Sequence, residues 1–273
     1  MRLILLGDFH YSRMEQGTSD MVAARDNAYA SMLERFLAEE GEYHISLGDL
    51  THEGLPEELG HITGQIGGSG RRFIHVLGNH DTYSIPKAEI LGITGGQRYS
   101  RIETEEALLL FLDTTKEMVK DDWGGEIDAE QIEWLQNELE QAGDKPVLVF
   151  AHHPVYDTTR RSTLDKLSIH PDYPIQAVLN RKKGPGFYFC GHNHANSIVA
   201  RDGWHYIQTA ACLDVPAVRI VELAQGKFRT ELRHMNDPKL AQHIAGFNTR
   251  MKGFAPVADA HGELSDHELE IPL

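Results

Sequence analysis

Five short apolar runs in this chain end in the same way. They read "RLILLG", "EYHISLG", "RRFIHVLG", "KPVLVFA" and "GFYFCG", and each stops at Gly or Ala. The next residue is Asp8, Asp49, Asn79, His152 or His192 respectively. Continuous runs of Ile, Val, Leu and Phe suit strands buried on both faces. A small residue at the end lets the backbone turn sharply and leaves room for close approach. In open α/β folds, ligands bind where the carboxyl ends of strands face a crevice. The repeated ending therefore constrains the chain to gather polar donors along one edge.

Helical patterns separate the runs. Residues 19–39 place Met21, Val22, Ala28, Tyr29, Met32, Leu33, Phe36 and Leu37 on one face, interrupted by Arg25, with Ser19 as the expected N-cap. Residues 128–142 place Ile132, Leu135 and Leu139 on one face behind Asp128 as cap. The stretch "GITGGQRYSRIETEEALLLFLDTT" reads as strand–turn–strand, "GWHYIQTAA" as a strand, and "AVRIVELAQGKFRTELRHM" as a hairpin turning at Gln225–Gly226. Alternating strands and helices with added hairpins predict a layered α/β architecture. We expect one domain over residues 1–235, then a C-terminal helix and tail over 236–273 packing on or near it.

Composition excludes several function classes. No apolar stretch is long enough to span a bilayer, and "MRLILLG" is too short for a signal-peptide core, so a cytoplasmic location is expected. Cys190 and Cys212 make no disulfide framework. The formal net charge of −15 disfavours a grip on long nucleic acid. It leaves an anionic small substrate open, because bound cations invert the field inside a cleft. Self-association is compatible with the sequence.

The donors after the five runs are Asp8 and His10; Asp49; Asn79, with His80 and Asp81; His152 and His153; and His192 and His194. One ion takes four to six ligands, so two Asp, one Asn and four His suit two ions sharing a bridge. Asp49, with two oxygens, is the natural bridge. Asp8, His10 and His194 complete one site, and Asn79, His152 and His192 the other. His-x-His in an extended segment sends both rings the same way, whereas a turn after Gly191 spreads them to one ion each. Two metals about 3.5–4 Å apart suit phosphoryl transfer, lowering the pKa of a water from 15.7 to roughly 7 and so providing hydroxide for in-line attack. His80 is expected to serve the leaving group as acid or charge stabiliser, with Asp81 orienting the loop. Mixed N and O ligands accept Mn, Fe, Zn or Co.

Taken together, "GDFH", "GDLTHEG", "GNHD", "AHHP" and "GHNH" resemble the calcineurin-like metallophosphoesterases, in the family's order and over about residues 1–225. The resemblance implies a four-layered αββα sandwich and a dinuclear metal centre. It implies His152 rather than His153 as the ligand in "AHHP". The helix at 128–142 followed by "PVLVFAHHP" resembles the branch holding cyclic-nucleotide and glycerophosphodiester phosphodiesterases. One departure stands out: His52 occupies a place where many members carry Asp or Asn.

The leading expectation is a metal-dependent phosphodiesterase on a small phosphorylated substrate. A phosphomonoesterase or nucleotidase on the same site is the nearest alternative, and a noncatalytic metal-binding scaffold the alternative of another class. Loops 11–20, 52–70, 82–90 and 155–172 are expected to shape the cleft. His44 and His75 read as packed strand residues, His52 and His61 as surface-loop residues. Tyr11, Tyr83 and Tyr156 are candidates to line the pocket, and Arg160 and Arg161 to reach a phosphate.

Overall fold

A computed structural model describes residues 1–14 and 17–273. The five apolar runs are strands, and their lack of polar alternation has a simple cause: both faces are covered. In β1 (Arg2–Leu6), Ile4 and Leu6 face one hydrophobic cluster while Leu3 and Leu5 face another. β1 lies at the centre of a six-stranded sheet. It pairs in parallel with β2 (Tyr43–Ser46), which pairs in parallel with β3 (Phe73–His75). On its other side it meets β10 (Ala217–Ala224) antiparallel, followed by β11 (Lys227–His234) and β12 (Glu268–Pro272).

The second six-stranded sheet runs β4 (Ser100–Glu103), β5 (Leu108–Phe111), β6 (Val147–Phe150), β7 (Gly186–Cys190), β9 (Trp204–Gln208), β8 (Ser197–Arg201). Its inner strands are parallel, and β4 and β8 run antiparallel at the edges. In β6 the alternation recurs: Val147 and Val149 point outward, Leu148 and Phe150 inward. The inward set meets Leu3, Leu5 and Ile45 of the first sheet in one shared core, and Phe228 stacks on Phe187 across it.

Helices cover both outer faces. α1 (Ser19–Ala38) and α6 (Pro238–Ala245) pack with the first sheet through Ala28, Met32, Phe36, Leu240 and Ile244. α4 (Ala129–Ala142) and α5 (Ile175–Leu179) cover the second through Leu135, Leu139, Val178 and Leu179. α2 (Pro56–Gly67) and α3 (Lys87–Thr94) flank the β2 and β3 ends, Ile62 and Ile66 of α2 joining the core under α1. The molecule is thus the layered α/β/β/α sandwich expected. No described helix is long and apolar enough to cross a membrane.

Local expectations met mixed outcomes. Asp128 caps α4, accepting from Gln131 N at 2.8 Å. The β10–β11 turn falls at Gln225–Gly226, both with positive φ (55° and 71°) as such tight hairpins require. For α1 the cap is Thr18, not Ser19; its hydroxyl accepts from Met21 N. Arg25 does not break the apolar stripe outward. It is buried, and its guanidinium donates to the carbonyls of Ser12 and Arg13. The strand–turn–strand reading holds for β4 and β5, but Gly92–Thr94 belong to α3. Of loop 11–20, residues 15 and 16 lie outside the described residues. Much of 52–70 is α2 rather than loop. His52 is buried, 2% exposed, not on the surface.

Candidate active site

All five strand ends open on one edge of the sandwich, and the backbone there is bent hard. His10, Asp49, His192 and His194 have φ of 50°, 48°, 68° and 54°. Four non-glycine residues in left-handed conformation at one place mark a functional site, because each costs energy that the surrounding fold must offset. Gly48 and Gly191 make the approach possible. A Cβ on Gly48 would lie 2.3 Å from His152 Nδ1, and one on Gly191 2.1 Å from Asp8 Oδ1.

The left-handed turns separate the two rings of "GHNH". The segment is not extended, and the rings diverge. His192 Nδ1 stands 3.0 Å from Asn79 Oδ1 and 3.2 Å from His152 Nε2. His194 Nε2 stands 3.0 Å from His10 Nε2 and 3.3 Å from Asp8 Oδ2. Asp49 lies between the groups, its Oδ2 3.4 Å from His152 Nε2 and 3.7 Å from His10 Nε2. Asp8, His10, Asp49, Asn79, His152, His192 and His194 are therefore brought together, and all but His194 are buried.

The tautomers leave lone pairs pointing at one another. His152 Nδ1–H donates to the Leu47 carbonyl at 2.9 Å, so Nε2 faces the cluster bare. His192 Nε2–H donates to the Lys166 carbonyl at 2.9 Å, so Nδ1 faces inward. Asn79 turns its Nδ2 to the Tyr83 hydroxyl at 2.7 Å and presents Oδ1. With His152 neutral, three acceptors thus converge without a donor among them. Asp8 Oδ1 is buried with no hydrogen-bond partner. Acceptors so placed need a cation or a proton between them. Bonds of about 2.0–2.1 Å to one ion set neighbouring ligand atoms about 2.9–3.4 Å apart, which the observed spacings match. The residues present fit a pair of metal ions.

Charge in the ion-free cluster follows from the same contacts. Burial opposes a proton on His152, but the Asp49 carboxylate outweighs it and pushes the pKa up to about 9. His194 goes the same way, to about 10: burial is overcome by Asp214 and Asp8. Burial and the neighbouring His152 push His192 down to about 3. Burial and His80 lower His10 well below its usual value. Burial alone would raise Asp49, yet His152, His80 and His10 hold it well below the usual carboxylate range.

Around the donors sits a supporting layer. Asp214 Oδ2 faces His194 Nδ1 at 3.2 Å. Asp81 accepts from the amides of Thr51 and Gly78 at 2.8 and 2.9 Å and from the Thr51 hydroxyl, so it ties the "GDLT" turn to the "GNHD" turn. His153 packs against His192 (ring centroids 4.3 Å apart), but its Nε2–H donates to the Trp123 carbonyl and its Nδ1 meets the Thr114 hydroxyl, both at 2.9 Å. Both its nitrogens are engaged, so it offers no lone pair to an ion. His80 is half-buried; its amide donates to Asp49 Oδ1 at 2.8 Å and its Nδ1 to the His52 carbonyl at 2.6 Å. Its Nε2 remains for a ligand.

A cleft of about 540 Å³ opens over the cluster. Tyr83, Trp123, Leu167 and Val257 line it, with Lys120, Arg161 and Lys252 as cations. Of the other candidates, Tyr11 is buried and stacks on His61, Tyr156 lines a separate hollow, and Arg160 is drawn to Asp259, Glu263 and Asp266. Sequence reasoning missed Asp214 and the 252–257 wall. "CLDVP" carries no metal-ligand spacing, and only the fold brings it behind His194.

Comparison with known proteins bears on the fold and the family. The chain is 27% identical over 164 residues to a glycerophosphodiester phosphodiesterase of Enterobacter lignolyticus, covering 58% of each chain. It is 23% identical over 163 residues to a 3',5'-cyclic-nucleotide phosphodiesterase of a Nostoc species, covering 60% of this chain and 59% of the relative. The matched region thus spans a little over half the length of these relatives. The crystal structure of a dimetal phosphatase from Danio rerio shares the fold: TM-score 0.66 at 16% identity, over 86% of this chain and 96% of the other. Residues 1–196 match the calcineurin-like phosphoesterase family as a whole, and they contain every donor of the cluster. This chain is a member of the calcineurin-like phosphoesterase family.

Proposed function

We propose that the protein is a phosphodiesterase acting on small phosphodiesters with two metal ions. Asp8, His10 and His194 hold one, Asn79, His152 and His192 the other, and Asp49 joins them. The observation that carries this reading is the convergence of bare nitrogen and oxygen acceptors on both sides of one buried carboxylate. When bound, the ions supply charge to hold phosphoryl oxygens and to acidify water near neutral pH; Mn, Fe, Zn and Co all suit the donor set.

The chain's own residues do the rest. Asp49 turns Oδ2 to both sides of the cluster and takes the His80 amide at Oδ1, which sets His80 at the mouth. Donation from His80 Nδ1 to the His52 carbonyl leaves Nε2 free to take a second proton, and the imidazolium then meets the leaving oxygen as acid or charge stabiliser. Lys252, with Lys120 and Arg161 held beside Glu53 and Asp259, brings positive charge to the cleft of an otherwise acidic protein and helps draw in an anion. Trp123, Leu167 and Val257 give an ester group an apolar wall, which favours a diester over a bare monoester. The phosphodiesterase names of the relatives support the same preference.

The test is hydrolysis of bis-p-nitrophenyl phosphate beside p-nitrophenyl phosphate, with Mn²⁺ and with chelator. Diester turnover that needs metal is expected. Turnover of the monoester alone would replace the reading with a phosphomonoesterase, and no turnover of either with metal would favour a scaffold.

A further inference from the structure

Residues after Asn236 lie beyond the stretch matched to the family, yet they reach the heart of the cleft. The Met251–Val257 segment crosses its side. The Phe254 ring lies flat against His194 (centroids 5.3 Å apart, 28° between planes) and edge-on to His10 (5.4 Å, 73°). Two fastenings hold the segment. The Val257 amide donates to Asp214 Oδ1 at 3.0 Å, the carboxylate that faces His194. The Lys252 carbonyl accepts from His52 Nε2 at 2.7 Å.

The second fastening fixes a chain of hydrogen bonds. A carbonyl only accepts, so the proton of neutral His52 sits on Nε2. His52 Nδ1 is then an acceptor, and His10 Nδ1 lies 3.3 Å away to donate to it. That leaves His10 Nε2 bare toward Asp49 and His194. His52 also stacks on His80 (4.9 Å, 26°) and takes the His80 Nδ1 proton at its own carbonyl. One buried imidazole therefore links the segment to His10 and to His80.

The segment also divides two hollows. The cleft of about 540 Å³ lies on one side, and a hollow of about 500 Å³ bounded by Arg13, Met21, Glu58 and Arg250 on the other. His52, Glu53 and Lys252 line both. If the segment lifts, the two become one groove.

We propose that Met251–Val257 is a strap that sets the size of ester the cleft accepts through Gly253, Ala255 and Val257, which line it, with buried Phe254 anchoring the strap against His10 and His194 and His52 as the positioning residue that fastens it. The proposal deepens the phosphodiesterase reading and rests on it for its kinetic arm alone. Two variants test it. His52→Phe keeps an aromatic ring against His80 but removes both hydrogen bonds; Phe254→Ala leaves His52 intact and serves should the first fail to fold.

Amide deuterium exchange is read on the full-length, metal-free chain. His52→Phe should speed exchange across 251–257 by at least about tenfold with little change in β1 or β7. Kinetics with Mn²⁺ compare bis-p-nitrophenyl phosphate with the bulkier thymidine 5'-p-nitrophenyl phosphate. In both variants the ratio of kcat/KM should move toward the bulkier ester by about tenfold, the scale on which pocket walls discriminate. Unchanged exchange in His52→Phe would overturn the fastening. A ratio that stays put in Phe254→Ala, with both substrates slowed alike, would overturn the strap's role in specificity. Should the unmodified protein cleave neither ester, the diesterase reading fails, and the exchange result still decides the fastening.

Discussion

Asp214 shows how a residue outside every motif governs one inside. Its carboxylate faces His194 Nδ1 at 3.2 Å, so its charge favours a proton on that nitrogen and leaves Nε2 toward the cluster. Asp214→Asn should weaken metal binding about 10–100-fold, the usual effect of removing a carboxylate behind a ligand imidazole. Titration with Mn²⁺ followed by metal analysis checks it; an unchanged affinity would count against His194 as a ligand. A second expectation concerns protons. With pKa values raised to about 9 and 10, His152 and His194 carry protons at pH 8 in the ion-free protein. Both values lie above the ordinary value of about 6.5. Their stabilisation is therefore complete below that pH and lost as pH rises through 9 and 10. Ligation needs neutral imidazole, so metal addition at pH 8 should release about two protons, and fewer above pH 10. Calorimetry in buffers of different ionisation enthalpy measures the number; no release at pH 8 would mean that the two imidazoles are already neutral in the ion-free protein. His52 shows what a sequence hides at this scale. It looks like a surface-loop residue in "GDLTHEG", but tertiary contacts bury it under a carbonyl some 200 positions away.

At the level of elements, the strand ends carry the specificity of the fold. Their small residues are required by what approaches them, and one substitution should act oppositely at two glycines. At Gly191, after β7, a new Cβ meets Asp8 Oδ1 at 2.1 Å. Gly191→Ala should cost about 1–3 kcal/mol by overpacking and dislodge Asp8 from the cluster. At Gly60, in the middle of α2, nothing lies within 4 Å, and Gly60→Ala should stabilise by roughly 0.5–1 kcal/mol through helix propensity. Urea midpoints for the two variants should move in opposite directions. The strands were legible because both their faces are buried, and α1 and α4 because their stripes have helical period. α2 and α3 were not. Glycines at 60, 64, 67 and 92 dilute their stripes, and the packing of Leu59, Leu77 and Ile90 forms only once α2 and β3 have been brought together. β8 and β12 were missed for another reason: edge strands with half-exposed faces carry little continuous apolar signal.

For the whole molecule, the cluster joins the first sheet to the second. Asp8, His10 and Asp49 follow β1 and β2, while His152, His192 and His194 follow β6 and β7. Ions held there by the proposed ligands would bind the native state alone. At a hundredfold excess over Kd they should add about 2.7 kcal/mol, a rise in Tm of roughly 5–10 °C. Thermal unfolding with Mn²⁺ and with chelator reads this difference, and identical curves would mean that no ion bridges the sheets. The sequence alone determined the layered α/β class, the five strands whose ends carry the candidate donors, and the family. Those depend on local pattern: burial on two faces, a small residue at each strand end, and donor types at fixed short spacings. Tertiary structure alone decided which donors face one another, that both His153 nitrogens are engaged by Thr114 and Trp123, that Asp214 and His52 stand behind His194 and His10, and that the C-terminal segment walls the cleft. Each of these is a contact between residues far apart in the chain, and such contacts depend on how the two sheets pack, which no local spacing encodes.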